Sequence, residues 1–311
     1  MTEQERLTIG KHQMAYYLSS QYPMLRVVLL HSMKRIIDDL DGFYAPIKET
    51  IRQSDDEDMD STIHCEVRNG LFFEALSHSV QAIEDLFSLM LTATDIPNFA
   101  NKVVTYSAVK VNKYIKDFDT EDTEFMMAQF QVPYFPLDEP WECEEAFVGY
   151  RDAVILIKEF IDDLISHHKR YYTPYCQYKH GLSVALRRFG GDGSFEKETP
   201  HLSPLVTFDN KRFDKRFTTN PPPAFAIPSL IPEIAKYASK LHDEENLLWT
   251  DMKVVDINNL IEITEKAYNL TIVLHSNLNR LINLSGNEEY DEVYFSMRDH
   301  KRVMSIGFPK E

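Results

Sequence analysis

Glycine is scarce in this chain, at 10 of 311 residues. So few leave little room for a fold built on many tight turns or for glycine-rich phosphate loops. No Gly-x-Ser-x-Gly elbow, P-loop or dinucleotide fingerprint occurs. Cysteine is scarcer still: Cys65, Cys143 and Cys176 lie far apart and are odd in number. That pattern fits reduced thiols and excludes a disulfide framework or a zinc ribbon. Long apolar runs are missing as well. The longest charge-free one in the first half covers residues 27–33, against the roughly 18 residues a membrane span needs. The first ten residues are polar and charged, so neither a membrane helix nor a secretory signal is expected, and the expected location is cytoplasmic.

What is present is the balance of a globular chain, 43% hydrophobic and 26% charged, long enough for a sizeable core. The net charge of −16 is unevenly spread. Between residues 167 and 216 ten Lys/Arg face five Asp/Glu, a local +5, which leaves −21 for the rest. Lys169, Arg170, Lys179, Arg187 and Arg188 belong to that basic region. It reads either as a surface pairing with the acidic remainder or as a docking face for phosphates or an acidic partner.

Hydrophobic spacing predicts a mainly α fold, a multi-helix bundle with a small antiparallel β element in the C-terminal third. A helix opens at Pro23 and covers residues 23–41, and the acidic run 55–60 reads as an exposed linker. A long helix over 62–92 carries the seam Phe72, Leu76, Ser79, Ile83, Leu86 and Met90. Pro97 starts the next helix, which runs toward Phe118, and the acidic stretch 117–124 precedes a short one. Residues 132–140 form a loop. The seam Phe147, Tyr150, Val154, Ile157, Ile161 and Leu164 predicts a helix reaching His168, then a turn at 172–174 and a shorter helix over 175–188. Residues 204–209 look like a strand and 218–232 like a proline-rich loop. Helices follow at 232–243 and 251–284, the latter with the seam Leu260, Ile263, Ala267, Leu270, Leu274, Leu281 and Leu284. Residues 293–297 and 302–308 read as a β-hairpin. The implied organisation is a helical bundle over 1–190, a proline-rich β/loop insertion over 191–231, and C-terminal helices with the hairpin over 232–311, packed on the same core.

The segment Tyr171-Tyr172-Thr173-Pro174-Tyr175-Cys176-Gln177-Tyr178-Lys179-His180-Gly181 gathers a Lys, a His and several tyrosines inside the basic region. Its Tyr-x-x-Tyr-Lys-His-Gly resembles the Asn/Tyr-x-x-Lys-His-Gly segments of bacterial HEPN-like helical-bundle proteins. The long helix around His64-Cys65-Glu66-Val67-Arg68-Asn69-Gly70 is similar in character to the first long helix of such bundles. The likeness covers residues 62–188. It implies a cytosolic protein that engages RNA or another phosphate-rich partner, as a metal-independent ribonuclease or a catalytically degenerate relative, with a homodimer completing the site. On that reading His180 is the general acid/base with Lys179 beside it, and Arg187, Arg188, Lys169, Arg170, Tyr175 and Tyr178 bind. Against it, Lys179 and His180 read equally as residues bonding a neighbouring helix.

HEPN nucleases resemble one another in an Arg-(four to six residues)-His signature. Here Arg6 with His12 and Arg26 with His31 match, about the number chance supplies. Arg26 and His31 would stand roughly 140° apart on a regular helix, and His31, set among Val27, Val28, Leu29 and Leu30, reads as a core or interface histidine. The nearest histidine after Arg68-Asn69 is His78, ten positions on.

Metal chemistry has no pattern to rest on. There is no Glu-x-x-His for a di-iron site, and His167, His168, Lys169 and Arg170 read as a cationic cluster at a helix C-terminus. Asp38-Asp39-Leu40-Asp41 lacks DDxxD spacing and reads as exposed acids at a helix end. No cofactor or metal is expected. Cys176 and His180 stand four apart on the expected helix, which allows a thiol-based site without a second element to define one. The alternative to the RNA reading is a non-enzymatic helical interaction or scaffold protein, which predicts an exposed apolar patch away from the basic segment.

Overall fold

Thr2 and Glu5 form a capping box: the Glu5 amide donates to Thr2 Oγ1 at 3.2 Å, and the Thr2 amide donates to Glu5 Oε2 at 2.7 Å. It opens α1, Glu3–Ser19, an element the polar character of the first ten residues gave no reason to expect. In this computed structural model residues 1–51, 57–132, 134–137, 144–179, 184–186, 199–209, 249–283, 292–297 and 302–307 are described. The chain continues with α2, Met24–Asp38, α3, Leu40–Ile51, and α4, Glu57–Ala93. Pro23 precedes the first residue of α2, as expected of a residue without a useful amide at a helix start. Residues 57–60 of the acidic run at 55–60 lie inside α4, so that part of the expected linker is helix.

A 3-10 turn, Ile96–Asn98, leads to α5, Phe99–Val104, α6, Ala108–Asp117, and α7, Thr123–Gln129. The single helix expected from Pro97 to Phe118 is therefore broken. Ser107 adopts an extended N-cap conformation, φ −144 and ψ 118, and restarts the chain as α6.

α8, Glu144–Lys179, corrects the expected turn at 172–174, because Pro174 sits inside it. Proline has no amide for the carbonyl four residues earlier. That carbonyl, Arg170 O, instead accepts from Lys253 Nζ at 3.1 Å. Beyond α8 come β1, Val184–Leu186, where helix was expected, then β2, Leu202–Asp209, and β3, Trp249–Asp256. They form an antiparallel sheet in the order β1-β2-β3, with Leu205 opposite Lys253 and Leu202 opposite Asp256. Residues 251–256, expected as the start of the last long helix, are thus strand. That helix, α9, Ile257–Asn283, follows β3 directly, with Asp256 Oδ1 capping it by accepting from the Asn258 amide at 2.9 Å. The C-terminal hairpin is present as β4, Glu292–Met297, antiparallel to β5, Arg302–Gly307. The expected loop at 218–232, the helix at 232–243 and Leu284 lie outside the described residues.

The fold is mainly α with small antiparallel sheets late in the chain. The α4 seam from Phe72 to Met90 is buried throughout, as are Tyr150 to Leu164 of the α8 seam and Leu260 to Leu274 of the α9 seam. One core joins α1, α4 to α8 and the middle of α9 around Ile83, Leu86, Phe87, Ile157 and Leu270. A second joins α2, the middle of α4, the end of α8, β2, β3 and the start of α9 around Phe72, Leu76, Tyr175 and Leu260. α4, α8 and α9 run through both. Arg68, buried on α4, ties the sheet to the bundle: its Nη2 donates to Pro200 O at 2.9 Å and Leu202 O at 2.6 Å. No described helix is long and apolar enough to cross a membrane.

Candidate functional site

The C-terminal stretch of α8 carries the described part of the tyrosine-rich segment. His180, Arg187 and Arg188 lie outside the described residues. Tyr175 is buried, its hydroxyl donating to Glu84 Oε2 at 3.2 Å, and Lys179 Nζ stands 4.3 Å from its ring centroid. Burial raises the Glu84 carboxyl above its ordinary range, against the Lys179 charge and the Tyr175 bond, which lower it. Tyr178 stacks on Phe73 at 4.5 Å and donates to Glu74 Oε1 at 2.7 Å. Burial, then that bond, pushes its phenol up to about 12. Lys179, Tyr175 and Tyr178 are thus brought together, but against acids of α4.

Lys169 and Arg170 are exposed, and the Arg170 guanidinium lies 5.1 Å from the Tyr171 ring. Nine residues at 100° each set Arg170 and Lys179 about 180° apart around α8. The described basic residues of this helix do not share one face.

The histidine cluster is not a cationic helix end. α8 continues eleven residues past His168, and both histidines are buried. His167 Nε2 is 3.0 Å from Ser79 Oγ, a hydroxyl that donates to Leu76 O at 2.8 Å. The pair has the look of a nucleophile and its base, yet Ser79 has no exposed surface for a substrate to reach. Burial, then the Arg170 charge, lowers His167 to about 3. His168 stacks on Tyr172, and neither of its ring nitrogens has a hydrogen-bond partner among the described residues. Asp163 pairs with Lys266 at 2.7 Å. Among the described residues no group of three or more His, Cys, Asp or Glu could hold a metal ion. Of the acids at 38–41, Asp38 pairs with Lys34 and Asp41 with His64. Cys65 and Cys176 are free thiols.

A more developed site lies between helices, where α1 ends and α2 begins over α4 and α9. It is a cavity of about 420 Å³ walled by Tyr17, Leu29, Ala82, Leu89, Ala267 and Tyr268, among others. On α4, His78, Gln81 and Asp85 stand at i, i+3 and i+7 and form a polar stripe along one face. They gather around Arg26. Its Nε and Nη2 reach Asp85 Oδ2 at 2.8 Å, while Nη1 donates to Gln81 Oε1 at 2.6 Å and to His78 Nδ1 at 3.1 Å. An arginine can only donate, so Nδ1 is the acceptor and the neutral His78 ring carries its proton on Nε2. Burial, then the Arg26 charge, lowers the His78 pKa.

On α9, Thr264, Tyr268, Thr271 and His275 line the same cavity at 4-3-4 spacing. Burial lowers His275, and burial with the Asp85 charge raises Tyr17. The hydroxyls of Thr92, Thr264 and Thr271 donate to carbonyls of their own helices, so no threonine of the lining is held as a nucleophile by a histidine. The arrangement suits binding better than covalent chemistry.

The Arg26…His31 alignment gives way to a contact between helices. Arg26 meets His78 of α4 rather than His31, which is half-exposed and pairs with Glu265 at 2.8 Å. His31 is therefore a bridge from α2 to α9 at the surface, not a core residue. No protein-family model, curated protein or solved structure matches this chain. The geometry of the described residues carries the functional reading.

Proposed function

We propose that the chain is a non-enzymatic helical interaction protein that self-associates through the start of α2. The observation supporting this is the exposure of Met24, Leu25 and Val28, at 46%, 55% and 49%, with Val28 one turn beyond the other two. Tyr22 stands beside them and is more exposed still. A contiguous apolar face of this kind marks an interaction surface. The groove next to it, between α2 and α9, carries both signs of charge in Arg35 and Glu265. In a two-fold dimer any contact between Arg35 of one copy and Glu265 of the other would be made twice. Sedimentation equilibrium is expected to show a dimer at micromolar concentration, with Leu25→Glu/Val28→Glu weakening it at least tenfold. A wild-type monomer at 100 µM, on the order of a weak association constant, would sink the reading.

A second reading, a HEPN-like protein engaging RNA, draws support from the exposure of Lys169, Arg170 and Lys179. It requires cleavage of labelled RNA that survives EDTA and is lost in His180→Ala. Absence of both cleavage and binding would leave the interaction role alone.

A further inference from the structure

We propose that the cavity between α1, α2, α4 and α9 binds an uncharged aromatic ligand with a hydrogen-bonding edge. Its volume, about 420 Å³, lies in the range of small-molecule sites. Its charge is balanced from within. Arg26 directs Nε and Nη2 to Asp85 and both Nη1 protons to Gln81 and His78, which leaves one of five N–H groups free. A phosphate or carboxylate entering there would meet Asp85 with almost no guanidinium donor to receive it. An organic cation would compete with Arg26 for the same carboxylate. An ionic ligand would therefore meet a charge pair already matched within the protein rather than an unpaired counter-charge.

The walls favour a ring. Tyr17, Tyr22, Tyr106 and Tyr268 line the cavity with the imidazoles of His78 and His275. The three threonines spend their hydroxyl protons on carbonyls of their own helices, so none of them offers a donor to a ligand. Polar capacity remains at one edge. Both ion-pair contacts of Arg26 fall on Asp85 Oδ2, leaving Oδ1 to accept from a ligand donor. His275, partly buried, makes no hydrogen bond to a described residue. A half-desolvated imidazole without a partner is a group that a ligand can satisfy.

The test is equilibrium dialysis at pH 7.5 with 2-naphthol, a planar uncharged ring bearing one hydroxyl, and with naphthalene-2-sulfonate, the same ring bearing an anion. Saturable one-to-one binding of 2-naphthol is expected, with the sulfonate at least tenfold weaker. Thr271→Trp, which fills the space, is expected to weaken 2-naphthol at least tenfold while helicity is unchanged. If that variant fails to fold, His275→Phe, which removes the polar edge, is expected to weaken 2-naphthol about threefold or more and leave naphthalene itself unaffected. No saturable binding of 2-naphthol, or equal binding by the filled variant, would overturn the site. Equal or tighter binding of the sulfonate would overturn the charge argument and with it the ligand class.

Discussion

His168 is buried against Tyr172, and burial, then the Lys116 charge, lowers its pKa to about 4. An unfolded histidine titrates near 6.5, so below that pH the unfolded chain takes up a proton that the native ring refuses. Stability from this residue is intact above about pH 6.5 and declines as the pH falls toward 4, by about 3 kcal/mol in all. His168→Phe keeps a ring on Tyr172 and removes two nitrogens without partners. Urea unfolding at pH 7.5 and 4.5 should show the variant losing less stability between the two than the wild type, by roughly 2 to 3 kcal/mol; an equal loss would mean the native ring protonates freely. The adjacent His-His-Lys-Arg run looks cationic because a helix was expected to end there. What the residues become depends on the helix continuing, and no local spacing reports that. The same holds for Arg26, whose partners His78, Gln81 and Asp85 are more than fifty positions away. Only half of that site left a trace in the sequence, the i, i+3, i+7 polar stripe of α4.

At the scale of elements, long amphipathic helices were legible because apolar residues at three-four spacing can bury only one way. Phe72 to Met90 of the α4 seam, Tyr150 to Leu164 of the α8 seam and Leu260 to Leu274 of the α9 seam are buried where the spacing placed them. Two of the differences turn on residues whose local preference is met by something distant. Pro174 disfavours helix by withholding an amide, yet α8 continues because Lys253, on β3, bonds the carbonyl left over. Strand β3 was hidden for a related reason, since its pairing with β2 crosses a long stretch of chain. Thr2-x-x-Glu5 was a signal within reach, a capping box ahead of α1. The link between Pro174 and Lys253 gives a double-mutant cycle. Lys253→Met is expected to cost about 1 to 2 kcal/mol in the wild type and distinctly less beside Pro174→Ala, where the restored amide takes the carbonyl. Additive losses in the cycle would show that the lysine contributes in some other way.

Across the whole molecule, two cores share the same three long helices. α9 contributes Leu260 to one and Leu270 to the other, both fully buried. Leu260→Ala and Leu270→Ala should each cost about 2 to 5 kcal/mol and shift one common unfolding transition, followed by far-ultraviolet circular dichroism and tyrosine fluorescence together. Separate transitions, each moved by one variant, would instead define two independent units.

Gly10 packs α1 so closely on the 3-10 turn that a Cβ there would overlap the carbonyl oxygen of Ile96. Seven residues further along, about 10 Å of helix, the same α1 supplies Tyr17, which sets its edge against Phe99 at 5.4 Å and walls the interhelical cavity. α1 is thus a lever whose fulcrum is a bare stretch of backbone. A single methyl at Gly10 would force α1 and the turn apart, so the bore of the cavity is gauged in part by a residue that has no side chain and does not line it.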